Sequence, residues 1–161
     1  MTAFLDPLHD VDQMLLLLRW AGRSPSDVVL EITERDAVRD LARFMEVLTE
    51  YRAHGFRFAT DDVGEGHSTF EVLAACVPEF IKIAGRFGRV GDYPGPQAAV
   101  RAAVTFADAT SAEVIAEGLE AEENVELVIK LGVGLGQGYG LHRPSRVEDL
   151  PASPRSRLQV G

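Results

Sequence analysis

The stretch that decides the fold runs from residue 28 to residue 62 and reads VVLEITERDAVRDLARFMEVLTEYRAHGFRFATDD. An apolar run at residues 28–33 predicts a buried strand, and apolar residues spaced three and four apart predict a helix over residues 35–54. Residues 56–61 predict a second strand after Gly55, a residue typical of helix ends. A strand, a helix and a strand in this order form a right-handed unit whose two strands are parallel.

The same alternation continues on both sides of this unit. Asp10 is predicted to cap a helix that ends near Gly22, with Trp20 and the leucines of residues 15–18 assigned to the hydrophobic core. Further strands are predicted at residues 80–83, 113–117 and 134–139, with helices after Ser68, around residues 100–107 and at residues 121–131. Strands that alternate with amphipathic helices form a parallel sheet with the helices outside it. The predicted fold class is therefore α/β, with about five parallel strands.

Length, charge and cysteine content exclude several classes of protein. The 161 residues suit one domain, and 16 basic against 25 acidic residues give a net charge of −9, which argues against a DNA or RNA partner. A single cysteine, Cys76, excludes an internal disulfide and a cysteine zinc site, and it favours a reducing compartment. No run approaches the ~18 apolar residues that a membrane span requires. We therefore expect a cytoplasmic protein.

Polar residues recur where the predicted strands end. These residues are Glu31, Asp61, Lys82, Glu117 and Gln137. The successive intervals between them are 30, 21, 35 and 20 positions along the chain. In a parallel barrel all such strand ends open onto one face, which is where these barrels build active sites. Asp62 adds a further carboxylate directly after Asp61. The common position of these residues at strand ends predicts that they line one polar cleft.

Carboxylates crowded in this way repel one another unless cations lie among them. Oxygen-rich sites suit Mg²⁺, Mn²⁺ or Ca²⁺, and a metal pair would activate water for attack on a phosphodiester. Lys82 would orient that water or stabilise developing phosphate charge. Taken singly, Glu31 or Glu117 is as well explained as a cap of the following helix, and Lys82 as the solvated face of an edge strand. Their common position at the strand ends favours a metal site over these separate structural roles.

Five segments of the chain carry these polar residues in a fixed order, and they are Leu30–Glu34, Asp61–Gly66, Ile81–Ile83, Val114–Glu120 and Gly136–Tyr139. In order and spacing these segments resemble the EAL domain family. The family is a TIM-barrel phosphodiesterase that hydrolyses the bacterial second messenger cyclic di-GMP to linear pGpG. The resemblance covers the chain from about Val11 to Pro144, and it implies a (β/α)₈-type barrel and a bacterial signalling role.

The resemblance also implies roles for the strand-end residues. Glu31 and Asp61 would bind one Mg²⁺ or Mn²⁺, with Asp61 shared and Asp62 serving a second ion. Lys82 would hold the attacking water, and Glu117 and Gln137 would complete the metal and water network. Ca²⁺ would be an inhibitory occupant that supports binding of the dinucleotide without hydrolysis.

The loop after the two aspartates resembles the dimerisation element of the family. The resemblance implies that Glu34 steadies this loop. The loop includes Gly64, Gly66 and Ser68, and the helix after it belongs to the same element. A homodimer or a partner protein would then bind through that helix or through exposed sheet edges.

The chain departs from the family pattern in several places. The Glu-Ala-Leu motif is absent, Ala84 stands where the family usually has aspartate, and Val63, Glu65 and His67 replace the usual Phe, Thr and Tyr. We therefore expect residues 1–147 to form a partial barrel that lacks the N-terminal strands. Residues 148–161, rich in Pro, Ser and Arg, are expected to form a flexible tail.

Three functions follow in order of preference. The first is an EAL-type cyclic di-GMP signalling domain whose hydrolysis is absent or weak, because the Glu-Ala-Leu strand supplies part of the metal site. The second is an active metal-dependent phosphodiesterase completed by dimerisation or by an N-terminal segment. The third is a protein-interaction module that binds no nucleotide.

Overall fold

The computed structural model describes residues 10–32, 41–64, 69–88 and 93–149. Glu34, Gly66, Ser68 and the part of the predicted tail after residue 149 lie outside the described residues. The described chain forms two compact units. The first contains residues 10–32, 41–61 and 69–79, and the second contains residues 62–64, 80–88 and 93–149.

The first unit is built around a parallel pair of strands. In chain order its elements are α1 (Val11–Trp20), β1 (Val29–Ile32), α2 (Leu41–Ala53), β2 (Arg57–Val63) and α3 (Thr69–Cys76). The last two residues of β2 belong to the second unit. In the register of the pair, Val29 lies opposite Arg57 and Ile32 opposite Thr60. The predicted strand–helix–strand unit is therefore confirmed.

Large apolar side chains from α2 and β2 fill the core of the first unit. Phe44, Leu48 and Phe58 are fully buried there, and the Tyr51 and Phe56 rings pack with their centroids 5.2 Å apart. Each fully buried side chain of this size stabilises the fold by roughly 1.5–3 kcal/mol. The spacing of three and four along α2 produces this packing because it places the apolar residues on one face.

Helix α1 corrects one sequence-based expectation. Asp10 caps it as predicted, since its carboxylate accepts the Gln13 backbone N–H at 2.8 Å. Trp20, however, is 92% exposed, and Leu16 and Leu17 are exposed as well, so the assignment of these three residues to the core was wrong, whereas Leu15 and Leu18 pack against the core as expected. A helix that is apolar on all sides turns only one face to its unit, and here Val11 lies on the buried face.

The cysteine lies at the end of α3 and is fully buried. Burial raises the pKa of the Cys76 thiol to about 12, because the apolar surroundings disfavour the thiolate. The thiol therefore stays protonated at neutral pH. Since only the thiolate is a nucleophile and metal ligand, Cys76 acts as a small apolar side chain of the core.

The second unit is also a parallel sheet with helices after its strands. In chain order its elements are β3 (Phe80–Ile83), α4 (Gly85–Gly88), α5 (Pro94–Thr110), β4 (Glu113–Ala116), α6 (Glu122–Lys130) and β5 (Leu135–Gly136). β4 pairs in parallel with β3 on one side and with β5 on the other. A short 3₁₀ turn at Val147–Asp149 includes the first residues of the predicted tail.

Two elements of the second unit differ from the sequence-based expectations. Residues 85–88 form the short helix α4, between the strand predicted at residues 80–83 and the helix predicted around residues 100–107. The last strand, β5, contains only Leu135 and Gly136 instead of residues 134–139. Glycine weakens a strand interior because it loses more backbone entropy and has no side chain to pack. No helix within the described ranges is long and apolar enough to cross a membrane.

Candidate functional site

Two of the predicted metal ligands lie on the paired strands of the first unit. Glu31 lies opposite Ala59 in the parallel register, and Asp61 follows Ala59 by two residues along β2. Because side chains alternate between the faces of a sheet, Glu31 and Asp61 share one face. Glu31 is exposed and Asp61 is half-buried. Both are available to a ligand near the carboxyl ends of their strands.

The second unit contains a largely buried ion pair. The Lys82 Nζ lies 2.9 Å from Oε1 of Glu117, and their side chains are only 11% and 18% exposed. Lys82 pairs in register with Ile115, two residues before Glu117, so both side chains lie on one face. The alternative of a solvated Lys82 on an edge strand is therefore wrong. So is the alternative of Glu117 as a helix cap, since Ala121 occupies the N-cap of α6.

Asp62 brings a second carboxylate to this pair. One of its carboxylate oxygens lies within 4.8 Å of a carboxylate oxygen of Glu117. Asp62 itself is exposed, and the chain joins it directly to Asp61. Two carboxylate oxygens at this separation form a donor set that suits a hard divalent cation. The residues present therefore fit the Mg²⁺ or Mn²⁺ that the sequence predicts.

The backbone of Asp62 is strained. Its φ angle is +53°, in the left-handed region that residues with a side chain rarely adopt. Such a conformation costs on the order of 1–3 kcal/mol and persists only where the surroundings hold it. Strain of this kind is concentrated at functional sites, and here it falls on a predicted metal ligand. The sequence carried no signal for it beyond the tolerance of aspartate for this region.

Gln137 is positioned by hydrogen bonds of its main chain. Its backbone N–H donates to the Ala116 oxygen at 2.8 Å, and its own carbonyl accepts the Leu119 N–H at 3.1 Å. These bonds fix the end of β5 beside the loop that follows β4, while Gln137 as a whole is exposed. The loop after β4 begins at Glu117, so the same bonds bring Gln137 to the part of the unit that contains the ion pair.

Two glycines to which the sequence analysis assigned no role hold these loops together. A Cβ on Gly138 would collide with the Leu119 backbone, and a Cβ on Gly118 would lie 2.9 Å from Cα of Gly85. Gly118, with φ +62°, also has a backbone conformation that favours glycine. The glycine-rich run after residue 133 was the available signal, because glycine in or beside a strand marks close approach of two backbones.

The model of the "EAL domain" family matches residues 6–144 of the chain. MucR of Pseudomonas aeruginosa, a bifunctional diguanylate cyclase/cyclic di-GMP phosphodiesterase, is 32% identical over 144 residues, which are 89% of this chain and 21% of MucR. The cyclic di-GMP phosphodiesterase PdeB of Shewanella oneidensis is 32% identical over 136 residues, 81% of this chain and 15% of PdeB. The chain thus spans about a fifth or less of the length of these relatives.

Comparison with solved structures indicates the same family. The phosphodiesterase PaMucR in complex with c-di-GMP superposes with a TM-score of 0.81 at 29% identity, covering 92% of this chain and 61% of that one. Klebsiella pneumoniae BlrP1 in a manganese/cy-diGMP complex gives a TM-score of 0.78 at 29% identity, covering 85% of this chain and 35% of that one. The expected partial (β/α)₈-type barrel is confirmed by this likeness. The chain belongs to the EAL domain family.

Proposed function

We propose that this chain is a cyclic di-GMP signalling domain of the phosphodiesterase type, which binds the dinucleotide with divalent cations and hydrolyses it weakly or not at all. The observation that carries the proposal is the buried Lys82–Glu117 pair with the Asp62 carboxylate within 4.8 Å of Glu117. Relatives named as cyclic di-GMP phosphodiesterases, and solved complexes with this dinucleotide, support the substrate class.

In this proposal, carboxylates from the ends of β1 and β2 hold the cations. Glu31 and Asp61 would hold one Mg²⁺ or Mn²⁺, and Asp62 would serve a second ion together with Asp61. A bound divalent cation lowers the pKa of water and neutralises phosphate charge. Ca²⁺ would occupy the same ligands and support binding without hydrolysis, since it accepts looser oxygen coordination than Mg²⁺.

The remaining strand-end residues organise the water and the phosphate. The Lys82 ammonium, held at 2.9 Å by Glu117, donates hydrogen bonds toward an attacking water or toward phosphate oxygens. Glu117 fixes that ammonium and leaves an oxygen for the cation network. Gln137, anchored through its backbone to Ala116 and Leu119, presents an exposed amide beside the same loop.

The proposal of weak hydrolysis rests on the composition of the site. Ala84 directly follows β3 and is fully buried, and it places a methyl group where the family usually has an aspartate. The 161 residues also contain no Glu-Ala-Leu sequence. Loss of groups that support metal ligands commonly lowers metal affinity or activity ~10–100-fold. Binding of the dinucleotide requires fewer aligned groups than its hydrolysis.

A cytoplasmic dimer is the setting we propose for this domain. In the family pattern Glu34 steadies the loop after the two aspartates, and that loop, with Gly64, Gly66 and Ser68, forms the dimer contact with helix α3. Unpaired sheet edges would serve a partner protein in the same way. Sedimentation of the purified chain tests the dimer, and a monomer at all accessible concentrations would contradict it.

Calorimetry with cyclic di-GMP in Ca²⁺ tests the binding part of the proposal. We expect measurable binding for the unmodified chain and a loss of at least about tenfold in affinity for Asp62→Asn, because one anionic ligand disappears. Asp12→Asn, on the exposed side of α1, is the matched control and should bind as the unmodified chain does. An absence of heat with every cation would favour a protein-interaction module that binds no nucleotide.

Product formation in Mn²⁺ tests the hydrolytic part. The expected result is little or no pGpG from the 161-residue chain under conditions in which it binds cyclic di-GMP. Ala84→Asp should raise the rate if the missing carboxylate is one cause of weak hydrolysis. Rapid multiple turnover by the unmodified chain would contradict weak hydrolysis and favour an active phosphodiesterase, completed by dimerisation where the rate rises with protein concentration.

A further inference from the structure

We propose that Phe87, on the short helix α4, is a positioning residue. It holds the strained turn Asp62–Val63–Gly64 in the conformation in which the Asp62 carboxylate acts. Its link to metal binding rests on the proposed function, whereas its link to the backbone of the turn does not. Phe87 lies outside all the segments that carry the family resemblance, and no strand-end pattern points to it.

The Phe87 ring of α4 lies against this turn at Gly64. A Cβ on Gly64 would collide with Cε2 of Phe87 and would lie 2.8 Å from its Cζ. The ring edge therefore occupies the space that any larger residue at position 64 would need. Gly64 also has a φ of +101°, a conformation that favours glycine. With the ring and the turn in these positions there is no room for a side chain at position 64, so a larger residue there would have to displace the ring.

Backbone hydrogen bonds connect the same two segments. The Ala84 N–H donates to the Val63 oxygen at 3.3 Å, and the Phe87 N–H donates to the Ala84 oxygen at 2.8 Å. Val63 is thus tied to the residue that follows β3, while Gly64 is blocked by the ring one turn farther along. These two restraints fall directly after Asp62, whose φ of +53° requires surroundings that hold it.

The ring is itself held in position. Phe87 is half-buried, and the Arg86 guanidinium lies 4.8 Å from the ring centroid, a cation–π distance. Because α4 follows β3 after a single residue, the ring position is also tied to the strand that contains Lys82. Phe87 therefore couples the lysine strand to the Asp62 turn, two parts of the site that are distant along the chain.

The first test compares Phe87→Ala with Phe106→Ala, which removes an equally half-buried phenylalanine of the same unit. The readouts are the amide NMR shifts of Asp62 and Gly64 and the Kd for Mn²⁺ measured by calorimetry. We expect Phe87→Ala to move both amides and to raise the Kd about tenfold, the lower end for loss of a supporting group. Phe106→Ala should change the Kd less than twofold, even where its Tm falls as far.

The second test uses the steric conflict directly. Gly64→Ala should weaken Mn²⁺ binding, because its methyl group meets the ring and because a φ of +101° strains any residue with a side chain. If the ring and position 64 act on each other, the loss in the Gly64→Ala/Phe87→Ala chain should be smaller than the sum of the two single losses, and fully additive losses would overturn the proposal. Unchanged Asp62 and Gly64 amides in Phe87→Ala would overturn it as well.

The outcomes separate this proposal from the proposed function. If the unmodified chain binds no Mn²⁺, the metal site fails, and the amide shifts, together with non-additive changes of Tm in Gly64→Ala and Phe87→Ala, still decide whether Phe87 positions the turn. If Phe87→Leu, which keeps most of the side-chain volume, restores the amide shifts and the Kd of the unmodified chain, packing against Gly64 is supported.

Discussion

The two units of this protein use partly buried charges at opposite ends of their strands. In the first unit, the Glu79 carboxylate accepts a hydrogen bond from the Phe58 backbone N–H at 2.7 Å, near the start of β2. The Arg52 guanidinium lies 3.6 Å from the same carboxylate. In the second, Lys82 and Glu117 pair at 2.9 Å near the strand ends. Charges at strand starts serve stability, whereas those at the carboxyl ends of parallel strands build sites. The same residue types thus have different uses.

The largest effect is expected from breaking the buried pair of the second unit. Lys82→Met should lower the free energy of unfolding by roughly 3 kcal/mol, because it leaves the largely buried Glu117 carboxylate without its ammonium partner. Urea denaturation at neutral pH measures the loss. The double variant Lys82→Met/Glu117→Met should be more stable than the single variant. If the losses of the two single variants add up in the double variant, the two charges do not interact. The difference between the charges of the two units would then be wrong.

The next effect concerns the charge of the first unit. Glu79→Ala should cost about 2 kcal/mol, since a charge-assisted hydrogen bond to the fully buried Phe58 is lost. Glu46→Ala is the matched control, because Glu46 pairs with Arg43 at 3.0 Å on a surface where both side chains are more than half exposed. That control should change stability by less than ~0.5 kcal/mol. Similar losses in both variants would contradict a special role of Glu79 at the strand start.

A smaller effect of opposite sign is expected one residue before Asp61. Among the described residues, the Thr60 hydroxyl is buried and has no hydrogen-bond partner. Thr60→Val replaces that hydroxyl with a methyl group of similar size and should stabilise the first unit by about 1 kcal/mol. Thr60→Ser keeps the hydroxyl but removes the methyl group, and it should destabilise. A destabilised Thr60→Val chain would show that the hydroxyl has a bound partner such as water.

The smallest effect is expected on the exposed side of α1. Trp20→Ser should change the unfolding free energy by less than ~0.5 kcal/mol, because 92% of Trp20 is exposed and little packing is lost. Thermal or urea unfolding detects the difference, with Leu48→Ala as the contrasting core variant. A loss comparable to that of Leu48→Ala would place Trp20 in a packed environment and would contradict its exposure.

Much of the candidate site followed from the sequence. Each of Lys82, Glu117 and Gln137 was placed at a strand end because apolar runs and helix periodicity locate strand ends to within a few residues. The carboxylate pair at residues 61 and 62 was found in the same way. Their assignment as one site needed only the rule that parallel strands present their carboxyl ends together. The period of α1 places Val11 and Leu18 on the side that packs against the core, whereas the assignment of Trp20 to the core rested on residue type alone, which does not decide burial.

The sequence by itself thus determined the alternation of strands and helices, the parallel sheet and the set of chemical groups at its edge, because these depend on residue type and local spacing. The tertiary structure decided which charges become buried partners, that Asp62 is held with a positive φ, and that Phe87 lies against Gly64. Those features depend on contacts between residues far apart along the chain. Such contacts arise only when the elements pack, and no local pattern encodes the few tenths of an ångström that separate a fit from a collision.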